Sequence, residues 1–299
     1  MIFNRLFVAT TVAVSVATPL AAISFAREPV PVVSKTGAVV EIMPGAFNFP
    51  VPGEFLSDGR PANAPVVEQL IARPISMMKY QVSQAEYQRC VDAGACKAAD
   101  ATISADADIR PITGVNYLDA QAYAAWYSGE TGEHWRLPSD AEWAYAAAER
   151  FVGESYSAIA SDPDNPAVAW IRRYEEEAAL SRAPDPVAHP LGHFGPNTRG
   201  IHDLGGNVWE WTSTCYQRTT LDQESGEAAH RIENCRVHIA EGRHRAYMSD
   251  FVRDGVSGGC AVGRPPDNLG FRLVREARRS LPQRLLDGLW GAIFSGPVS

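Results

Sequence analysis

The stretch that most constrains this chain is Asp203 to Trp211, DLGGNVWEW. Adjacent glycines are costly to order, so a Gly-Gly pair set against bulky aromatics means that the backbone takes a conformation, or makes a close approach, that a side chain would forbid. The two tryptophans demand a core to bury them. With 299 residues, 45% of them hydrophobic, the chain is long enough to supply that core in one large domain or two small ones.

The rest of the chain offers few regular elements to build it. VVEIMPGAFNF and ISMMKYQV read as short strands joined by an irregular connection. Ser83-Gln-Ala-Glu86 and Ser139-Asp-Ala-Glu142 each place a hydroxyl three residues before a carboxylate, the reciprocal pattern that satisfies the first free N–H groups of a helix. A third helix is predicted from Asp119 to Tyr127, with Ala122 and Trp126 on its apolar face. From Asp162 onward Pro, Gly, Asn and His dominate, which predicts a loop-rich second half held by turns and disulfides.

Cysteine usage fits an oxidising compartment. Cys90 pairs plausibly with Cys96 in CVDAGAC, and Cys215 with Cys235 across a loop rich in Gln, Glu and Gly, leaving Cys260 as an inert buried thiol or a reactive one. At the N-terminus Arg5 precedes the apolar run LFVATTVAVSVATPLAAISFA, and Ser24 and Ala26 stand where a signal peptidase needs small residues. The expectation is a signal peptide over 1–26, cleaved at Ala26–Arg27, with export to the periplasm; an uncleaved membrane anchor is the alternative. A leader over 27–38 follows. Net charge is −8 with no Lys/Arg-rich run, which excludes nucleic acid as the main partner.

The blocks GVNYLDAQAYAAW, HWRLPSDAEWAYAAA, DLGGNVWEWTS and NLGFRLVR, with the openings VVEIMPGAFNF and KYQVSQAEYQRCV, resemble in order and spacing the formylglycine-generating enzymes, also called sulfatase-modifying factors. The resemblance implies a domain over 39–276 with an α+β, C-type-lectin-like fold poor in regular structure. It also implies a calcium ion held at Asp203, Gly206, Val208 and Glu210. That is chemically sensible, since 203 and 210 bring carboxylates and 206, 208 and 210 alternate along an extended backbone. The competing reading has Glu210 paired with a core arginine such as Arg272 and the glycines making only a tight turn. The family's other calcium region is replaced here by DPDNPAVAWIRRYEEEAALSR, a polar helix with a solvated charge run.

Catalysis in the family's oxidase is implied to need copper on two closely spaced cysteine thiolates just upstream of LGFR. Thiolates suit reduced copper because both are soft. Beyond Cys235 this chain has only Cys260, and the two catalytic positions fall near Asp250 and Gly255. The segment RVHIAEGRHRAYMSDFVRDG instead offers His238, Glu241, His244, Asp250 and Asp254, of which two imidazoles and a carboxylate can form an iron site. The plainer reading is a solvated ion-pair surface with Arg243, Arg245 and Arg253. His238, His244, Asp250 and Cys260 are thus the catalytic candidates, and iron or copper the alternative cofactors to calcium.

The tail SLPQRLLDGLWGAIF places Leu281, Leu285, Leu286, Leu289, Trp290, Ile293 and Phe294 at helical spacing. An amphipathic helix over 277–299 is expected, packing on its own domain, on a partner, or on a membrane surface through 281–294. Two functions fit the whole chain. The first is a periplasmic accessory, maturation or binding scaffold with a protein partner or a peptide or small-molecule substrate. The second is a metal-dependent oxidoreductase resembling periplasmic siderophore-maturation members or a true formylglycine-generating oxidase.

Overall fold

The structure is a computed structural model that describes residues 38–152, 187–222, 224–255 and 268–276. The expected signal peptide, the expected leader but for Ala38, the charge run at the expected second calcium region, Cys260 and the expected C-terminal helix lie outside the described residues.

The chain enters through β1 (Val39–Ile42) and β2 (Gly45–Pro50), and the connection expected to be irregular contains β3 (Glu54–Ser57), β4 (Arg60–Ala62) and β5 (Val66–Ile71) before β6 (Ile75–Met78). The apolar and β-branched residues of FPVPGEFLS and VVEQLI, around turns at Gly53 and Gly59, explain these strands, which the Pro content of the segment masked. Helix α1 (Gln84–Asp92) and helix α3 (Asp140–Ala147) carry the two expected capping boxes. Between them α2 (Tyr117–Thr131) is longer than the expected 119–127, because Asn116 and Asp119 form a third box and Gly132 ends the helix in a left-handed conformation. Its buried face is Ala120, Tyr123, Ala124 and Tyr127, with Ala122 and Trp126 at the margin.

After β7 (Trp135–Arg136) and α3, the second half departs from expectation. It is dominated by β8 (Trp209–Leu221) and β9 (Ala228–Glu241), a long antiparallel pair, followed by β10 (Arg245–Ser249), β11 (Leu269–Gly270) and β12 (Val274–Arg275). The Thr-rich, β-branched run WEWTSTCYQRTTL favours strand over loop despite its polarity.

Strands β1, β6, β12 and β7 form one sheet in that order; β10, β9, β8, β3 and β4 form a second, with β11 pairing parallel to β8; β2 and β5 form a ribbon. Tyr87, Tyr123, Tyr127, Trp135, Trp211, Phe271 and Met248 build one apolar cluster between α1, α2 and the sheets, and Trp143, Met77, Ile201 and Leu204 a second beneath α3. Both expected disulfides, Cys90–Cys96 and Cys215–Cys235, are formed.

Candidate functional site

The DLGGNVWEW turn owes its glycines to backbone geometry. Asp203, Gly205 and Asn207 have φ of 63°, 71° and 65°, the left-handed region that side chains disfavour. Gly206 is needed for a different reason: a Cβ there would meet the Phe194 ring at 3.2 Å. The polar side chains of the turn clamp the preceding loop. Asp203 accepts hydrogen bonds from the Gly192 and Phe194 amides at 2.5 and 2.9 Å, and the Asn207 amide exchanges two with the His189 backbone at 2.8 and 3.0 Å.

Glu210 lies at the bottom of the turn, fully buried, and its carboxylate is saturated. Arg272 donates from Nε to Oε2 at 2.6 Å and from Nη2 to Oε1 at 2.7 Å; Trp143 Nε1 and Gln81 Nε2 add one bond each at 2.8 Å. Arg272 spends its remaining donors on the carbonyls of Met78, Lys79 and His202. The pair is a closed network of the kind that justifies a buried ion pair. The side-chain donor set expected for calcium therefore does not fit. Glu210 takes the arginine pairing, and Asp203 spends its carboxylate on backbone amides.

A second buried cluster lies one strand away in the same row of the sheet, where β10, β9 and β8 bring Arg245, Glu241 and Glu210 into register. Arg245 reaches Glu241 Oε1 from Nε at 2.9 Å, Asp140 Oδ2 from Nη2 at 2.8 Å and the Pro50 carbonyl at 3.2 Å, and lies over the Phe49 and Phe151 rings. The expectation that Arg245 belongs to a solvated surface is thus corrected: Arg245 and Glu241 sit under the β2–β5 ribbon and α3, with 3% and 0% exposure. Two carboxylates against one guanidinium leave an excess negative charge. Burial, and then the neighbouring Asp140 charge, hold the Glu241 carboxyl well above the usual carboxylate range. Glu241 Oε2 and Asp140 Oδ1 have no hydrogen-bond partner, and Asp140 Oδ2 has only the ion-pair contact with Arg245. Burial and the Asp140 charge both favour the protonated form of Glu241, in which its carboxyl can donate to Asp140.

The catalytic candidates separate. His238 is buried on β9, stacked on Tyr117 at 3.5 Å between ring centroids, with Nε2 bonded to the Cys235 carbonyl at 3.0 Å. Burial lowers the His238 pKa and so favours the neutral imidazole, against the opposing pull of the Cys235 carbonyl and the Asp250 charge. Asp250 takes its amide bond to the Arg236 carbonyl and pairs with the Arg236 guanidinium at 3.4 Å. His244 lies in the β9–β10 turn against Trp209, with Nδ1 against the Arg245 carbonyl at 3.0 Å. Three residues of strand, about 10 Å, separate the His238 row from the Glu241 row where that turn begins. The expected iron set of two histidines and a carboxylate is not assembled. Asp254 is exposed, four residues beyond Asp250.

Asp140, Tyr117 and Trp143 were missed by sequence reasoning. The first sits in a capping box, which accounts for a polar residue there without a further role. Among the described residues, the cysteine and acid groups that converge are the disulfide-bonded Cys215 and Cys235 with the Glu233 carboxylate.

Fold, block order and turn together define a formylglycine-generating-enzyme domain. Residues 26–277 match the sulfatase-modifying factor enzyme 1-like domain, and the chain belongs to that family. It is 30% identical over 170 residues to inactive C-alpha-formylglycine-generating enzyme 2 of Bos taurus, covering 56% of this chain and 51% of that protein. It is likewise 30% identical over 189 residues to the formylglycine-generating enzyme of Streptomyces coelicolor, covering 56% of this chain and 53% of the other. The chain thus spans about half the length of these relatives. Among solved structures it is similar to PvdO from Pseudomonas aeruginosa, with a TM-score of 0.48 and 21% identity over 81% of this chain and 99% of that one.

Proposed function

We propose that this chain is an exported accessory or maturation scaffold that serves beside another enzyme and does not carry out copper-dependent formylglycine formation. The observation that supports this reading is the use of the thiols. Four of the five cysteines are joined as Cys90–Cys96 and Cys215–Cys235, leaving Cys260 as the one thiol for a site that takes two. The chain offers Asp250 and Gly255 near the positions where the resemblance puts the copper thiolates, and Asp250 is turned to Arg236. Family membership does not decide between the roles, since relatives named as active and as inactive enzymes match over similar lengths.

The buried His238, Asp250 and Tyr117 favour a second reading, an oxidoreductase with a changed site. They offer one imidazole and one carboxylate, short of the two imidazoles that the iron site takes. Metal content distinguishes the readings. The full chain, purified without chelator from the periplasm and measured by mass spectrometry, is expected to carry far less than one iron or copper per chain. Near-stoichiometric iron that is lost in a His238→Ala variant would overturn the scaffold reading.

A further inference from the structure

The Cys215–Cys235 disulfide sits at the most irregular place in the large sheet. On β8 and β9 the register runs Trp211 to Ala240, then Cys215 to His238, then Tyr216 to Asn234, with breaks on both sides of Cys215. Extra residues loop out of each strand at these breaks, and local irregularities of this kind gather next to functional sites. Cys235 is solvent-exposed and Cys215 half-buried, so a reductant can reach the bond. Glu233 stands two residues before Cys235, exposed, with Oε1 taking one long bond from Gln217 Nε2 at 3.2 Å. Its carboxylate oxygen and both sulfurs lie within 4.8 Å of one another.

We propose that this cluster is a redox-gated zinc site in which the Cys215 and Cys235 thiolates, once reduced, and the Glu233 carboxylate bind one ion. Zn–S bonds of about 2.3 Å in tetrahedral geometry need sulfurs roughly 3.8 Å apart. The strand irregularities on either side of Cys215 allow that separation without unpairing the rest of the hairpin. Three protein ligands leave the fourth position for water; the two thiolates neutralise the ion, and the carboxylate gives the complex a single negative charge that its exposed position leaves solvated. A dithiol donates two electrons and two protons, the S–S bond breaks to give two thiols, and the donor becomes a disulfide; zinc then displaces both thiol protons as the Zn–S bonds form. The oxidised chain cannot bind there, because neither sulfur of a disulfide is a thiolate. The site is distinct from the thiolate positions near Asp250 and Gly255, and it stands whether or not the chain is catalytic.

The test uses the full chain, oxidised or reduced with a dithiol and desalted, then titrated with zinc and counted per chain by mass spectrometry. The reduced chain is expected to take up one zinc that the oxidised chain does not. The Cys215→Ser/Cys235→Ser variant, reduced in the same way, is expected to lose it, which separates the site from Cys90, Cys96 and Cys260. Glu233→Gln keeps the disulfide and the hairpin intact and is expected to weaken zinc binding about tenfold or more. No zinc uptake on reduction, uptake undiminished in the double-serine variant, or an unchanged affinity in Glu233→Gln would each overturn the proposal.

Discussion

The Glu210→Gln substitution probes the centre of the fold. The amide keeps the volume of the carboxylate, so no cavity opens and the loss is electrostatic. Arg272 then remains fully buried with only carbonyl partners, and two of the four donors now aimed at the carboxylate face an NH2 group, since each oxygen accepts two. Breaking a buried ion pair by removing one partner costs about 3–5 kcal/mol. For a domain of this size a loss of about 3 kcal/mol lowers Tm by roughly 6–12 °C. Urea unfolding of the two proteins, each in calcium and in chelator, measures the difference. Because Glu210 is committed to Arg272, the wild-type midpoint is expected to be the same with and without calcium, since a ligand bound only by the native state must stabilise it. A double-mutant cycle with Arg272→Met isolates the pair, and the double variant is expected to recover part of the loss. A loss under about 1 kcal/mol, simple additivity in the cycle, or a calcium-dependent midpoint in the wild type that Glu210→Gln abolishes would refute the reasoning.

Two other predictions follow from the same geometry. The Glu241 carboxyl titrates above its unfolded value, so its favourable contribution is fully present below about pH 4.3 and is lost as pH rises toward the folded pKa, by at most about 1.4 kcal/mol per pH unit. Glu241→Gln removes that slope, and urea midpoints between pH 5 and 8 should be flatter in the variant than in the wild type; parallel profiles would contradict a retained proton. Gly205→Ala forces a side chain into a left-handed conformation with its Cβ 3.0 Å from the Arg150 carbonyl, and should cost about 1–2 kcal/mol in thermal unfolding, whereas an unchanged Tm would mean that the turn relaxes freely.

Much of this architecture was legible where local chemistry is decisive. The Ser83 and Ser139 capping boxes announce their helices because the reciprocal bonds involve residues three apart, and the cysteine spacings announce both disulfides because the pairs are close in sequence. The Gly205-Gly206 pair correctly signalled a constrained backbone, but it could not reveal that one glycine is required by its φ and the other by the Phe194 ring, which lies eleven residues or more upstream. The polar run from Thr212 to Arg236 hid the long hairpin, because the outer half of β9 is exposed on both faces, that of β8 is largely half-buried polar residues, and neither shows hydrophobic alternation. The buried cluster was concealed differently. Glu241 and Arg245 face each other only because EGRHR closes a hairpin, and Asp140 joins them across about a hundred residues of chain, a juxtaposition set by tertiary packing.

The central claim is that this member of the formylglycine-generating-enzyme family does not perform the family's copper chemistry. Its most direct test is to incubate the purified full chain with copper, oxygen and a sulfatase-type cysteine peptide and to look for conversion of the cysteine to formylglycine by mass spectrometry, with an active formylglycine-generating enzyme run alongside. The account predicts conversion by the active enzyme and none by this chain. Multiple-turnover formation of the aldehyde by this chain would contradict it.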